Sequence, residues 1–163
     1  MRPLISHRYI EPEETRYILL EDHLREVGIR CASSVLKLRK HLHLSISSED
    51  LAIAAFITGI CHDFAKAKQQ FQDYIWNGIK RDKNHAKLSS FFTFVVTSDT
   101  FKDKDFPTKF LPFVCAYAVN RHHGSLINLD GDYGAFTRVK LEYEYEIAKD
   151  TIDERDWSFN FDF

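Results

Sequence analysis

Cysteine is scarce in this chain and shows no pairing pattern. Only three occur in 163 residues, Cys31, Cys61 and Cys115. Each stands in apolar surroundings, none forms a C-x-x-C pair, and the number is odd, which argues against a disulfide framework and against a zinc ribbon. They read as small buried hydrophobes in a reducing compartment. Also missing is any uninterrupted run of about eighteen apolar residues, the length a membrane-crossing helix needs. Met1 is followed by Arg2-Pro3 and a mixed polar stretch, not by an apolar signal segment. The expectation is a soluble, cytoplasmic protein with no membrane partner. Charge of one sign is lacking too. A net charge of -2 argues against a surface coated with positive charge for nucleic acid. It leaves room for a local basic groove, or for one charged by bound metals. No internal repeat, low-complexity run or linker interrupts the chain.

What is present is apolar and aromatic. Hydrophobic residues make up 44% of the chain and aromatics 14%, enough for one substantial core at this length and too little for two domains. Residues 1–163 therefore read as one compact all-α domain. From Leu19 to about Leu42, Leu20, Leu24, Val27, Cys31, Val35 and Leu38 recur at helical spacing. Ser47 or Ser48, followed by Glu49 and Asp50, resembles a cap before a second helix, apolar almost all round from Leu51 to Cys61. A third helix is expected from Lys66 to Trp76 with Phe71, Tyr74 and Ile75 inward, stopped by Asn77-Gly78. A fourth opens at His85 and runs to about Val96 with Leu88, Phe91, Phe92 and Val95 buried. A fifth is bracketed by Pro107 and Pro112 and ends near His122-His123 beside Gly124, and a sixth is expected from Ala135 to Lys149.

Five of the eight histidines form a set with one aspartate: His23, the doublet His62-Asp63, His85 and the doublet His122-His123. Imidazole and carboxylate hold transition metals while leaving them reactive. A single histidine on an apolar helix is more often a hydrogen-bonded core residue than a ligand. This set differs because each member falls at a helix edge or on a core-facing side, so that four helices can converge on one point. His7, His41 and His43 lie in polar or terminal positions and are assigned no role.

The order His, His-Asp, His, His-His along an all-helical chain resembles the HD-domain metal-dependent phosphohydrolases. Four segments narrow the likeness: Asp22-His23-Leu24-Arg25-Glu26-Val27, Gly59-Ile60-Cys61-His62-Asp63-Phe64-Ala65-Lys66, His85-Ala86-Lys87-Leu88-Ser89-Ser90 and Arg121-His122-His123-Gly124-Ser125-Leu126. They are similar to the motifs of the CRISPR-associated HD nuclease, the DNA-degrading partner, fused or separate, of the type I interference helicase. The likeness spans residues 17–127. The His-Asp-x-x-Lys element occurs in many HD enzymes; the His-Ala-x-Leu-Ser and His-His-Gly-Ser elements point to the CRISPR branch.

The resemblance implies two metal ions side by side. His23, His62 and Asp63 would hold the first, Asp63, His85, His122 and His123 the second, with Asp63 bridging. It also implies hydrolysis of single-stranded DNA by a metal-activated water, in concert with a CRISPR-associated helicase and an RNA-guided surveillance complex. Lys66, one helical turn after Asp63, is expected to offer its ammonium to the scissile phosphate. A donor set rich in imidazole favours manganese or iron first, with nickel, cobalt and zinc next, over magnesium. Lys80, Arg81, Lys83, Lys87, Lys102, Lys104 and Lys109 are candidate backbone contacts, and Tyr74 and Trp76 candidate stacking partners.

The chain departs from the family in one respect. The family supplies a further aspartate on a later helix to complete the first metal position. Here Asp130, Asp132, Asp150, Asp153 and Asp156 are the candidates, and sequence alone does not choose among them. The expectation is that the chain is a fragment, needs a partner polypeptide, or holds its first metal weakly. Two other classes stay open: an HD phosphohydrolase acting on nucleotides or cyclic nucleotides, and a noncatalytic helical subunit that keeps metals for stability.

Overall fold

A computed structural model describes residues 2–41, 43–79 and 83–124. The fold is mostly helical, with one small two-stranded sheet. In chain order the elements are β1 (Ile5–Ile10), β2 (Thr15–Leu19), α1 (Leu20–Arg39), α2 (Ser48–Cys61), a 3-10 turn (Phe64–Ala67), α3 (Gln69–Asn77), α4 (Ala86–Thr100), a second 3-10 turn (Thr108–Phe110) and α5 (Leu111–Asn120). The expected sixth helix, the five candidate aspartates, Ser125, Lys80 and Arg81 lie outside the described residues.

Helix α2 is the centre of the bundle and packs against α1, α4 and α5. Ser47 caps it: its hydroxyl accepts a hydrogen bond from the Asp50 amide at 2.9 Å, satisfying one of the donors a helix start leaves open. Asp50 also pairs with Lys104 at 3.0 Å. Against α1 the approach is unusually close, and two glycines permit it. A Cβ placed on Gly59 would lie 2.6 Å from Gly28 Cα and 2.8 Å from Gly28 N, so the backbones themselves are in contact there. The core beneath has two main parts. Ala54, Phe101, Leu111 and Cys115 join α2 to the α4–α5 pair, and Leu20, Leu24 and Ala67 join α1 to the first 3-10 turn.

Three differences from the sequence expectation have physical causes. The expected third helix is split. Phe64–Ala67 forms a tight 3-10 turn, Lys68 adopts an extended backbone, and α3 starts only at Gln69, ending at Gly78 in the left-handed region with φ 69°. The buried face of α4 is Leu88, Ser89, Ser90, Thr93 and Thr97, whereas Val95 is exposed. These small polar residues are buried because their hydroxyls are spoken for: Ser89 Oγ accepts from the Ala65 amide at 3.0 Å, Ser90 Oγ donates to the Ala116 carbonyl at 2.7 Å, and Thr93 Oγ1 donates to the Ser89 carbonyl at 2.8 Å. The third difference is the antiparallel β1–β2 hairpin, absent from the helical reading. Its register slips between Ile5 and His7, leaving Ser6 as an extra residue opposite β2. Ile5 and Ser6 are consequently both buried in succession, which destroys the alternation that would have marked a strand.

The hairpin is tied down at its open end. Leu20 N donates to the Leu4 carbonyl at 2.9 Å. Buried Gln72 of α3 receives the Ile5 amide at 3.2 Å and donates to the Ile5 and Lys66 carbonyls at 2.9 and 2.8 Å. Among the described residues no helix is long and apolar enough to cross a membrane.

The glycine contact predicts a specific lesion. Gly59→Ala forces α1 and α2 apart against backbone atoms that cannot rotate away, and overpacking of this kind costs about 1–3 kcal/mol. At roughly 2–4 °C per kcal/mol for a chain of this size, thermal melting should shift down by about 2–12 °C; an unchanged melting temperature would show that the helices slide apart freely.

Candidate metal centre

The centre is built from helix ends. Asp63, 3% exposed, follows the last turn of α2 and stands before the 3-10 turn. Imidazole nitrogens approach both of its oxygens. On Oδ2, His23 Nε2 from α1 lies at 3.0 Å and His62 Nε2 at 3.2 Å. On Oδ1, His85 Nε2 lies at 2.9 Å and His122 Nε2 at 3.3 Å. His123 joins through His85, the two Nε2 atoms 2.8 Å apart. All six residues singled out as ligands in the sequence are therefore brought together, in two overlapping groups: His23, His62 and Asp63, and Asp63, His85, His122 and His123. Within each group one donor atom from every residue lies within 4.8 Å of the others.

The local sequence fixes which nitrogen faces the centre. His62 follows α2, and its Nδ1 sits 2.6 Å from the Gly59 carbonyl; His122 follows α5, and its Nδ1 sits 2.6 Å from the Val119 carbonyl. In both cases the side chain bonds a carbonyl of the last helical turn, which at Val119 also accepts from the His122 amide at 3.3 Å. His85 Nδ1 faces the Lys83 carbonyl at 3.1 Å. A carbonyl only accepts, so Nδ1 carries a proton in all three rings, and Nε2 is the nitrogen that faces Asp63. Histidine that binds metal is oriented in this way.

Two features show that this donor set fits a cation. Asp63 Oδ1 and His122 Nε2 are buried and, among the described residues, have no hydrogen-bond partner despite their proximity. And the Nε2 atoms of His85 and His123 face each other at 2.8 Å, a spacing that a proton or a cation between them accommodates. The buried His/Asp groups can hold a metal ion. Burial opposes the charge of Asp63, but the surrounding imidazoles of His122, His23, His62 and His85 hold its carboxyl far below the usual carboxylate range. Burial also pushes the His123 imidazole down, aided by His122 and His85, so that its neutral, ligating form persists to lower pH than usual.

Lys66 is placed differently from a solvent-facing cation. It is 5% exposed and its Nζ lies 2.7 Å from Asp63 Oδ2, on the same oxygen as His23 and His62. It still borders a cleft of about 880 Å³ that opens beside His85 and His123 and is walled by β1 and α3. Two residues near the centre had no signal in sequence. His7 was set aside for its polar, near-terminal position, yet its ring lies 4.8 Å from that of His23, edge to face. Lys68 is 1% exposed and donates to the Asn84 carbonyl at 2.5 Å, fastening the segment that delivers His85. Of the stacking candidates, Tyr74 borders the cleft, while Trp76 packs on Tyr17 at 4.7 Å and under Arg2 at 5.6 Å.

Comparison with known proteins adds one relative. The chain is similar to a CRISPR-associated nuclease/helicase. That protein, Cas3 of Haloferax volcanii, is 27% identical over an alignment of 157 residues that covers 92% of this chain. It covers only 15% of the relative, so the chain corresponds to a small part of a much longer protein. No family model matches the chain, and no solved structure does. The relation to a CRISPR-associated nuclease/helicase agrees with a buried His/Asp cluster able to hold metal.

Metal uptake should be visible without any assay of activity. At a concentration about 100 times its dissociation constant, Mn²⁺ should stabilise the native chain by about 2.7 kcal/mol, raising the melting temperature by roughly 5–10 °C. Asp63→Ala should abolish the shift; a variant that keeps it would detach Asp63 from metal binding. Protons compete with metal for imidazole, so the shift should hold at pH 7 and fade as the pH drops below about 6. A shift that survives unchanged at pH 5 would exclude histidine as the donor.

Proposed function

We propose that this chain is the nuclease module of a type I CRISPR interference system, a metal-dependent hydrolase of phosphodiester bonds in single-stranded DNA. The observation that carries the reading is the convergence of imidazole nitrogens on both oxygens of one buried carboxylate. The similarity to a CRISPR-associated nuclease/helicase supplies the context. On this reading the whole chain, 1–163, is one HD-type domain and works with a helicase and an RNA-guided surveillance complex.

In the proposed site, His23, His62 and Asp63 hold one divalent ion and Asp63, His85, His122 and His123 a second, with manganese or iron the first choice. When bound, such ions supply the electrophilic charge and the activated water that phosphodiester hydrolysis needs. The residues do the rest. Five imidazoles add no negative charge, so the phosphate is not repelled, and the single carboxylate of Asp63 is shared by both halves. The carbonyls of Gly59, Val119 and Lys83 keep His62, His122 and His85 in one tautomer and orientation, so no reorganisation is needed when an anion arrives. Lys66, on Asp63 Oδ2 and at the edge of the cleft, holds the carboxylate and presents a cation to the incoming phosphate. The four-ligand half is the better specified.

The test is direct. The purified chain, loaded in turn with manganese, iron, nickel, cobalt, zinc and magnesium, should degrade single-stranded DNA with manganese or iron. Asp63→Ala should lose at least about a hundredfold in rate, since even loss of an outer hydrogen-bond partner of a metal ligand costs about 10–100-fold. Turnover of nucleotides with DNA strands left intact would instead make it a nucleotide phosphohydrolase. Metal uptake with no cleavage of any phosphoester would make it a noncatalytic subunit.

A further inference from the structure

The cleft beside the centre is built for more than access. One wall is β1, contributing His7 and Ile10; the other is α3, contributing Phe71, Tyr74 and Ile75; His85 and His123 border it where it meets the centre. The walls are fixed against each other through buried Gln72, 4% exposed, and through Arg8, whose guanidinium donates to the Trp76 carbonyl at 3.0 Å. The extra residue at Ser6 re-aims the strand, and His7 is thereby turned to meet His23. The apolar lining begins at the centre, where the Phe71 ring meets that of His85 at 5.5 Å, and continues through Tyr74, Ile75 and Ile10. Ile10 is 74% exposed on its lip, and Tyr74 is half-buried with Lys83 Nζ 4.9 Å from its ring centre. At about 880 Å³ the space falls within the ~300–1,000 Å³ of clefts that take small organic groups. Its lining therefore combines imidazole and ammonium groups, His7, Lys66, His85 and His123, with an aromatic ring, Tyr74, that has a cation beside it.

That combination of groups matches a nucleotide, which joins a phosphate to a flat base. We propose that the cleft is a base-binding subsite for the unpaired nucleotide next to the phosphodiester presented to the centre. Its base lies along Tyr74 between Ile10 and Ile75, and its phosphate lies toward His7, Lys66 and His123. The subsite rests on the nuclease reading for its place relative to the reacting bond, and it explains why the substrate would be single-stranded. A base stacks on an aromatic ring only when its face and edge are free of a complementary strand, and such stacking is insensitive to which base is present.

Binding, measured apart from cleavage, tests it. The probes are a short fluorescein-labelled oligothymidylate and its abasic counterpart, titrated with the purified chain and followed by fluorescence anisotropy. The native chain should bind the oligothymidylate about tenfold more tightly than the abasic strand, the range that one stacked base supplies. Tyr74→Ala should bind both strands with the weaker affinity, and Tyr74→Phe, which keeps the ring, should behave as the native chain. Equal affinity of the native chain for the two strands would overturn the subsite, whatever the variants do, and so would native discrimination by Tyr74→Ala. The two readings part cleanly. Base-dependent binding without cleavage under any metal would remove the nuclease and keep the subsite, whereas cleavage of both strands with no difference in affinity would do the reverse.

Discussion

One buried carboxylate organises this molecule. A carboxylate charge taken out of water is strongly unfavourable unless cations or donors replace the lost hydration. Asp63 gathers its compensation from four separate stretches of chain: His23 from α1, His62 and Lys66 from its own surroundings, His85 from the start of α4, and His122 from the end of α5. Each of those elements must stop or start within a few ångströms of one point. The bundle can therefore be understood as a way of bringing helix ends, not helix faces, to a common centre, with α2 as the member that touches the others.

Helix ends suit this task because they carry backbone carbonyls in need of donors. The same solution appears after α2 and after α5: a histidine just past the end turns back to the carbonyl three residues earlier. That hydrogen bond fixes the ring at the helix end, places a proton on Nδ1 and directs the remaining nitrogen. Stability of the helix end and readiness of the ligand are the same interaction. Lys68 provides a parallel on the other side, where a lysine without solvent access holds the segment before His85 through the Asn84 carbonyl. Ser89 and Ser90 of α4 play a similar part, locking the 3-10 turn and α5 to one helix through bonds that an apolar stripe could not make.

Much of this was legible in the amino-acid order. The start of α2, its apolar character, the stop at Gly78 and the six residues at the centre all carry local signals: a capping hydroxyl, a period, a glycine, and imidazoles at helix edges. What stayed hidden depends on contacts distant in sequence. The hairpin was hidden because the extra residue at Ser6 breaks alternation, and His7 was overlooked with it. The buried face of α4 misled because Ser and Thr are taken as surface residues until their acceptors are known. Lys66 was expected to face a ligand, and only the folded chain places it on Asp63 Oδ2.

The contact between Gly28 and Gly59 has a meaning beyond close packing. His23 lies little more than a turn from the first glycine, and His62 directly follows the helix that carries the second. Where side chains separate two helices, spacing drifts with every change of volume in the interface. Here backbone meets backbone, and the gap has no adjustable part. The two glycines thus act as a mechanical stop that gauges the span between His23 and His62, so the outer core can be extensively remodelled without retuning the distance on which an ion would depend.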